Sequence, residues 1–126
     1  VNNIKTDKMT KFTDTVKEFY SLIQQYKFIE AVDRFYDQNI ISTDNSGEPT
    51  KGMENFRESV RNFISNTEVE KIELLSTIIE ENLSVAHWHY IFTHKKFGRF
   101  DYKQISVQRW KNSKIIQENH FYNLGK

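Results

Sequence analysis

The sequence predicts an α+β fold, with three N-terminal helices covering one face of a mostly antiparallel sheet. Three observations lead there. Apolar residues recur at helical spacing through the first half of the chain, whereas beyond residue 67 the pattern is extended. The extended runs are separated by short turn-forming stretches, EEN, KKFGR and KNS, which make sequence neighbours antiparallel. Helices and strands are also segregated along the chain rather than alternating, the pattern of α+β rather than α/β proteins.

The elements follow in order. Phe12, Val16, Phe19, Tyr20, Ile23 and Tyr26 form one stripe, which predicts a helix over residues 10–26 with Thr10 or Asp7 as its cap. Ile29, Val32, Phe35 and Tyr36 mark a second, short helix. The period then drops, and NIIST begins a strand that ends on Asp44. The loop DNSGEPTKG holds the chain's one proline, Pro49, among other turn formers. Met53, Phe56, Val60, Phe63 and Ile64 predict a third helix that stops near Asn66. Four strands follow in a meander: KIELLSTII, LSVAHWHYIFTH, FDYKQISVQRW and KIIQENHFYN.

A chain of 126 residues suits one domain. The expected organisation is a flexible tail over 1–9 and a single domain over 10–126. Eighteen basic and 17 acidic residues give a net charge of +1 with the signs interspersed, so no nucleic-acid footprint is visible. Lys95, Lys96 and Arg99 read as a solvated hairpin turn. No apolar run approaches the ~20 residues that span a bilayer, and the polar opening VNNIKTDKMTK has no leader-like core. The absence of cysteine excludes disulfides and thiolate chemistry and fits a reducing compartment, so the expectation is a cytoplasmic protein.

Alternation along the strands sorts their side chains. Trp88, Tyr90, Phe92 and His94 share one face of their strand, and Val85, His87, His89 and Ile91 share the other. In the next strand Tyr102, Gln104, Ser106, Gln108 and Trp110 oppose Ile105, Val107 and Arg109. In the last, Ile116, Glu118, His120 and Tyr122 oppose Ile115, Gln117, Asn119 and Phe121. Neither sheet face is cleanly polar, which predicts helices on one side and a second copy of the chain on the other.

IEAVDRFYDQNIISTD, the following Gly-containing loop, KGMENF and the ending QRWKNSKIIQENHFYN resemble the nuclear-transport-factor-2-like superfamily. This is the cone-shaped α+β half-barrel shared by SnoaL-like polyketide cyclases and ketosteroid isomerases. The resemblance spans nearly the whole chain. It implies helices on the concave face of a curved sheet and a cavity for a small, largely apolar or cyclic molecule. It also implies proton-transfer chemistry of the isomerase, cyclase or dehydratase type without metal or organic cofactor. The alternative is a non-catalytic binding or dimeric interaction module, because the fold hosts many functions.

Carried over residue by residue, the resemblance makes Asp44 the general base and Tyr20 the donor to an enolate oxygen. Ser106 stands where the isomerases hold a protonated acid, a clear departure. His120 stands where the cyclases hold a last-strand aspartate. Glu118, His120 and Tyr122 face the cone interior, and His94, in THKK, lies at its rim.

On the residues alone each candidate has a plainer reading beside the chemical one. Asp44 is a base in an apolar pocket or a turn acid. Tyr20 is a hydrogen-bond donor or core packing. Glu118 and His120 are a buried pair that positions a polar ligand, or a satisfied core histidine. Ser106, Gln108 and Tyr102 are inward hydrogen-bonders that need partners. Trp88, Tyr90 and Trp110 are cavity wall or core. The HWH pair, His87 and His89, lacks a third ligand of matching parity, so no metal site is expected.

Overall fold

The computed structural model describes residues 2–125, with side chains from residue 7 onward. Helices α1 (Asn2–Gln24), α2 (Phe28–Phe35) and α3 (Met53–Asn66) pack on the concave face of one curved sheet. The sheet contains β1 (Tyr36–Asp44), β2 (Thr50–Lys51), β3 (Thr67–Glu80), β4 (Leu83–His94), β5 (Gly98–Lys111) and β6 (Lys114–Tyr122). Its order is β2-β1-β6-β5-β4-β3. Every pairing is antiparallel except β1 with β6, which is parallel. This is the expected α+β cone.

Helix α1 starts at Asn2, well before the predicted start at residue 10, so residues 2–9 of the expected tail are helical; Val1 lies outside the described residues. The apolar stripe that guided the prediction begins only at Phe12. The polar stretch before it contains no Gly or Pro, and nothing in it stops the helix from continuing backwards. The helix ends in a Schellman arrangement. Tyr26 takes a left-handed φ of 62°, its N–H donates to the Ile23 carbonyl at 3.0 Å, and the Lys27 N–H donates to the Leu22 carbonyl at 2.9 Å.

Phe19 is the hub of the core. Its ring meets Phe35, Tyr36 and Trp110 edge-on, each at 5.7 Å between centroids, and so ties α1 to α2, β1 and β5. Tyr36, read from the sequence as the end of the second helix stripe, instead opens β1 with its ring tilted against Phe56 of α3, 4.5 Å between centroids. Gly52 turns the chain into α3 with φ 86° and ψ 151°, a conformation that glycine alone adopts without strain.

Bulges shape the sheet. Arg109 pairs with Gln117 but Trp110 with Ile115, so Ile116 is an extra residue in β6. The extra residue reverses the predicted parity at that point. Ile115, expected on the outer face, is fully buried, and Glu118 faces the same side. Between β5 and β6, Asn112 (φ 52°) and Ser113 (φ 62°) form the two-residue hairpin turn that demands left-handed conformations at both positions. Asn tolerates this and Ser does so less well. Ser113→Gly is therefore expected to raise the unfolding free energy by about 0.5–1 kcal/mol. Urea denaturation checks this, and an unchanged or lower midpoint would contradict the turn assignment.

Candidate functional site

Between the helices and the concave sheet face lies a cavity of about 500 Å³. Phe28, Val32, Val60 and Phe63 close it from the helical side, and Trp88, Tyr90 and Phe92 line it from β4. Most of its polar groups come from the strands: Ser42 and Asp44 on β1, Gln104, Ser106 and Gln108 on β5, and Glu118, His120 and Tyr122 on β6. Strand alternation explains why these residues share one wall, since side chains two apart project the same way. The cross-strand registers Ser106 to His120 and Gln108 to Glu118 place them side by side.

Glu118 is the deepest charged group, with 2% of its surface exposed. Its Oε1 accepts from the Tyr36 hydroxyl at 2.6 Å and lies 3.3 Å from His120 Nε2, and its Oε2 accepts from Gln108 Nε2 at 2.8 Å. The direction of these bonds is fixed from behind. Gln108 Oε1 accepts from both the Tyr20 hydroxyl and Ser84 Oγ, each at 2.8 Å. Ser84 Oγ in turn accepts from Trp110 Nε1 at 2.9 Å. With its oxygen engaged by two donors, the Gln108 amide turns its NH₂ toward Glu118, whose Oε2 acts as an acceptor. Burial, the largest influence, pushes the Glu118 pKa up. The charge and hydrogen bond of His120, with the bonds from Tyr36 and Gln108, outweigh it and hold Glu118 below its ordinary value.

His120 bridges this anion and the cavity. With Nε2–H directed at Glu118, Nδ1 is the position that gains and loses a proton. Nδ1 lies 2.7 Å from Ser106 Oγ and 3.1 Å from Gln104 Nε2. Gln104 also donates to Ser106 Oγ at 2.9 Å. Burial acts to lower the His120 pKa and is the largest single influence. The charge and hydrogen bond of Glu118, helped by the charge of Asp44, override it and raise the pKa. Asp44 is the register partner of His120 across the parallel β1·β6 pair, and the Asn45 N–H locks that junction by donating to the His120 carbonyl at 2.7 Å. Asp44 itself is exposed at the cavity mouth, where the Tyr122 hydroxyl donates to its Oδ2 at 2.7 Å.

The structure thus brings Asp44, His120, Ser106, Gln108, Glu118 and Tyr122 together on one cavity, with Trp88 and Tyr90 in its wall. Three other candidates lie elsewhere. Tyr20 is 1% exposed, does not line the cavity, and has its hydroxyl committed to Gln108, so it cannot serve as the enolate donor. Trp110 belongs to the core, edge-on to Phe12 and Phe19. His94 is absent from the lining; its Nδ1 accepts the Lys96 and Phe97 N–H groups and shapes the β4–β5 turn. The HWH pair faces the outer side, with His89 Nε2 2.6 Å from Asp101 Oδ1.

Sequence reasoning missed Tyr36, Ser84, Ser42 and Gln104 as site components. Strand alternation places Gln104 on the inward face but assigns it no role. Tyr36 carried a signal, since Tyr36, Ile40 and Ser42 are the buried positions of β1.

Comparison with known proteins agrees with this architecture. The family model for the SnoaL-like domain matches residues 16–118. Among solved structures, a candidate SnoaL-like polyketide cyclase from Mesorhizobium loti superposes with a TM-score of 0.81 at 20% identity, covering 87% of this chain and 97% of the other. An NTF2-like protein of unknown function from Burkholderia pseudomallei gives 0.76 at 14% identity, covering 90% and 92%. An LEH-like epoxide hydrolase from M. tuberculosis gives 0.75 at 10%, covering 94% and 86%. At these identities the likeness is one of fold. No curated protein matches the chain by sequence. Among the described residues no helix is long and apolar enough to cross a membrane.

The Glu118–His120 pair sets a pH dependence of stability. Glu118 is depressed from 4.5, so its contribution is fully present above that value and is lost as pH falls through the folded pKa. His120 is raised from 6.5, so its contribution is fully present below that value and is lost as pH rises through the folded pKa. Stability due to the pair is therefore greatest between 4.5 and 6.5. Glu118→Gln is expected to lose about 3 kcal/mol within that window and to flatten both limbs. Guanidinium unfolding across the pH range tests this; a mutant profile parallel to wild type would refute the pairing.

Proposed function

The chain belongs to the SnoaL-like domain family, and from that premise we propose that it binds a small, largely apolar molecule in its cone cavity and moves a proton on it with its own side chains. The observation that carries this reading is His120, held at Nε2 by a buried carboxylate and turned at Nδ1 onto a cavity hydroxyl, in register beside Asp44.

The chemistry follows from the charges. A raised pKa keeps a larger share of His120 protonated and so suits it to act as an acid. His120 therefore donates its Nδ1 proton, and Ser106 relays it, accepting from the imidazolium while its own O–H points to the ligand. Asp44, an exposed carboxylate at the mouth, takes a proton from the ligand, with Tyr122 orienting it. An acid and a base on one cavity suit isomerisation, cyclisation or loss of water from an apolar carbonyl compound. A fold shared with a candidate polyketide cyclase and an epoxide hydrolase is compatible with that class. We place the protein in the cytoplasm, since it has no cysteine to exploit an oxidising compartment.

A second reading, a dimeric module with or without turnover, draws on the outer sheet face. His87, Ile105 and Phe121 stand in register across β4, β5 and β6, and the last two are exposed apolar side chains. A second copy of the chain packed there is expected to make the protein a dimer at micromolar concentration. Sedimentation of Phe121→Glu beside wild type tests this: a monomeric wild type would remove the proposal, and a monomeric variant alone would support it.

The catalytic reading is tested by following exchange of the α-protons of 2-tetralone in D₂O by NMR. Wild type is expected to accelerate exchange. Asp44→Asn should lower the rate by about 100-fold, and His120→Gln should remove its decline as pH rises through the His120 pKa. Binding without exchange above the buffer rate would favour a binding protein.

A further inference from the structure

Two tyrosine hydroxyls in the cavity are uncommitted. Tyr20, Tyr36 and Tyr122 donate to Gln108, Glu118 and Asp44. Tyr90 and Tyr102, both lining the cavity, make no hydrogen bond within the described residues. They are register partners across β4 and β5, with ring centroids 5.8 Å apart. Among the described residues no buried polar side-chain atom is left without a partner, so these two oxygens open onto the cavity rather than into the packed core. Burial, the largest influence on each, holds both phenols well above their ordinary pKa of 10.0, so they enter the cavity as neutral donors.

The charges of the wall restrict what those donors can serve. Among the described residues no lysine or arginine lines the cavity, whereas Asp44, Glu48 and Glu118 do. His120 is already matched to Glu118. A carboxylate or phosphate would enter a low-dielectric space with acids in its walls and no free cation to meet it. An uncharged oxygen needs only a donor, and two are waiting.

We propose that Tyr90 and Tyr102 form a paired donor site for one uncharged acceptor oxygen, so that the cavity selects a neutral carbonyl compound over the corresponding carboxylate. The proposal rests on the reading that the cavity binds a small molecule; it adds the ligand's chemical class and the two residues that choose it. The rest of the ligand lies against Phe63, Phe92 and Val60, apolar surface that asks for an apolar or aromatic body.

The test uses three probes of one shape: 2-acetylnaphthalene, 2-naphthoate and 2-ethylnaphthalene. Dissociation constants are measured by ligand-observed NMR at pH 7.5. The ketone is expected to bind at least about tenfold more tightly than the carboxylate. Tyr90→Phe and Tyr102→Phe should each weaken the ketone by about two- to tenfold and leave the hydrocarbon unchanged. In wild type alone, the carbonyl stretch of the bound ketone should lie below its position in hexane. Equal binding of ketone and carboxylate, or ketone affinity and carbonyl frequency indifferent to both tyrosines, overturns the donor site while hydrocarbon binding leaves the cavity reading intact. Binding of none of the three overturns both.

Discussion

One buried carboxylate organises this molecule. Moving an ion out of water costs several kcal/mol even after relaxation, and the cost is offset only by close, well-directed partners. Glu118 meets that demand with donors from three strands: Tyr36 on β1, Gln108 on β5 and His120 on β6. Gln108 is itself oriented by Tyr20 of α1 and Ser84 of β4. One charge thus dictates contacts among five elements. Well-packed apolar side chains would often hold a core as firmly. A network of this kind is better understood as a device that fixes where protons reside, and here it fixes them at the wall of a cavity.

The cavity inherits an asymmetry from this arrangement. Its helical side is mostly apolar, with Phe28, Val32 and Phe63, and most of its polar groups stand on β1, β5 and β6. The bulge at Ile116 contributes directly: it turns Ile115 into the core behind Trp110 while keeping Glu118, His120 and Tyr122 on the cavity side. The parallel β1·β6 pairing then delivers Asp44 beside His120. Glu118 is the buried charge and Asp44 the exposed one at the mouth, while the Tyr90 and Tyr102 hydroxyls lie on the same wall along β4 and β5.

Much of this was legible in the sequence. The α+β class, the three helices, the boundaries of β4 and the inward faces of β4 and β5 follow from periodicity, because side chains on a paired strand have no freedom to change sides. Prediction failed where an unpaired residue broke the period, as at Ile116, or where no period existed, as in the polar start of α1. Tyr20, His94 and Trp110 illustrate a different limit. Each lies on the expected element and, for the two strand residues, on the expected face. Whether a hydroxyl or imidazole there meets a ligand or a protein acceptor depends on neighbours far away in sequence. Gln108, which claims the Tyr20 hydroxyl, is 88 residues distant. The same limit hid Tyr36 and Ser84, whose parts in the network are set by side chains on other strands.

The two bulges in β3 have a consequence for solubility. β3 is the terminal strand of the sheet, so one edge of its 14 residues presents unpaired amides and carbonyls. A long flat edge of that kind is a template for intermolecular strand addition. The register breaks at Val69/Lys71 and Leu74/Ser76 twist the edge, and Glu68, Glu70, Lys71 and Glu73 add charge beside them. That protection ends where the second bulge does. The stretch Ser76–Thr77–Ile78–Ile79 is uncharged, β-prone and carries the exposed Ile78, which makes it the segment of this chain where self-association into a cross-strand aggregate would begin.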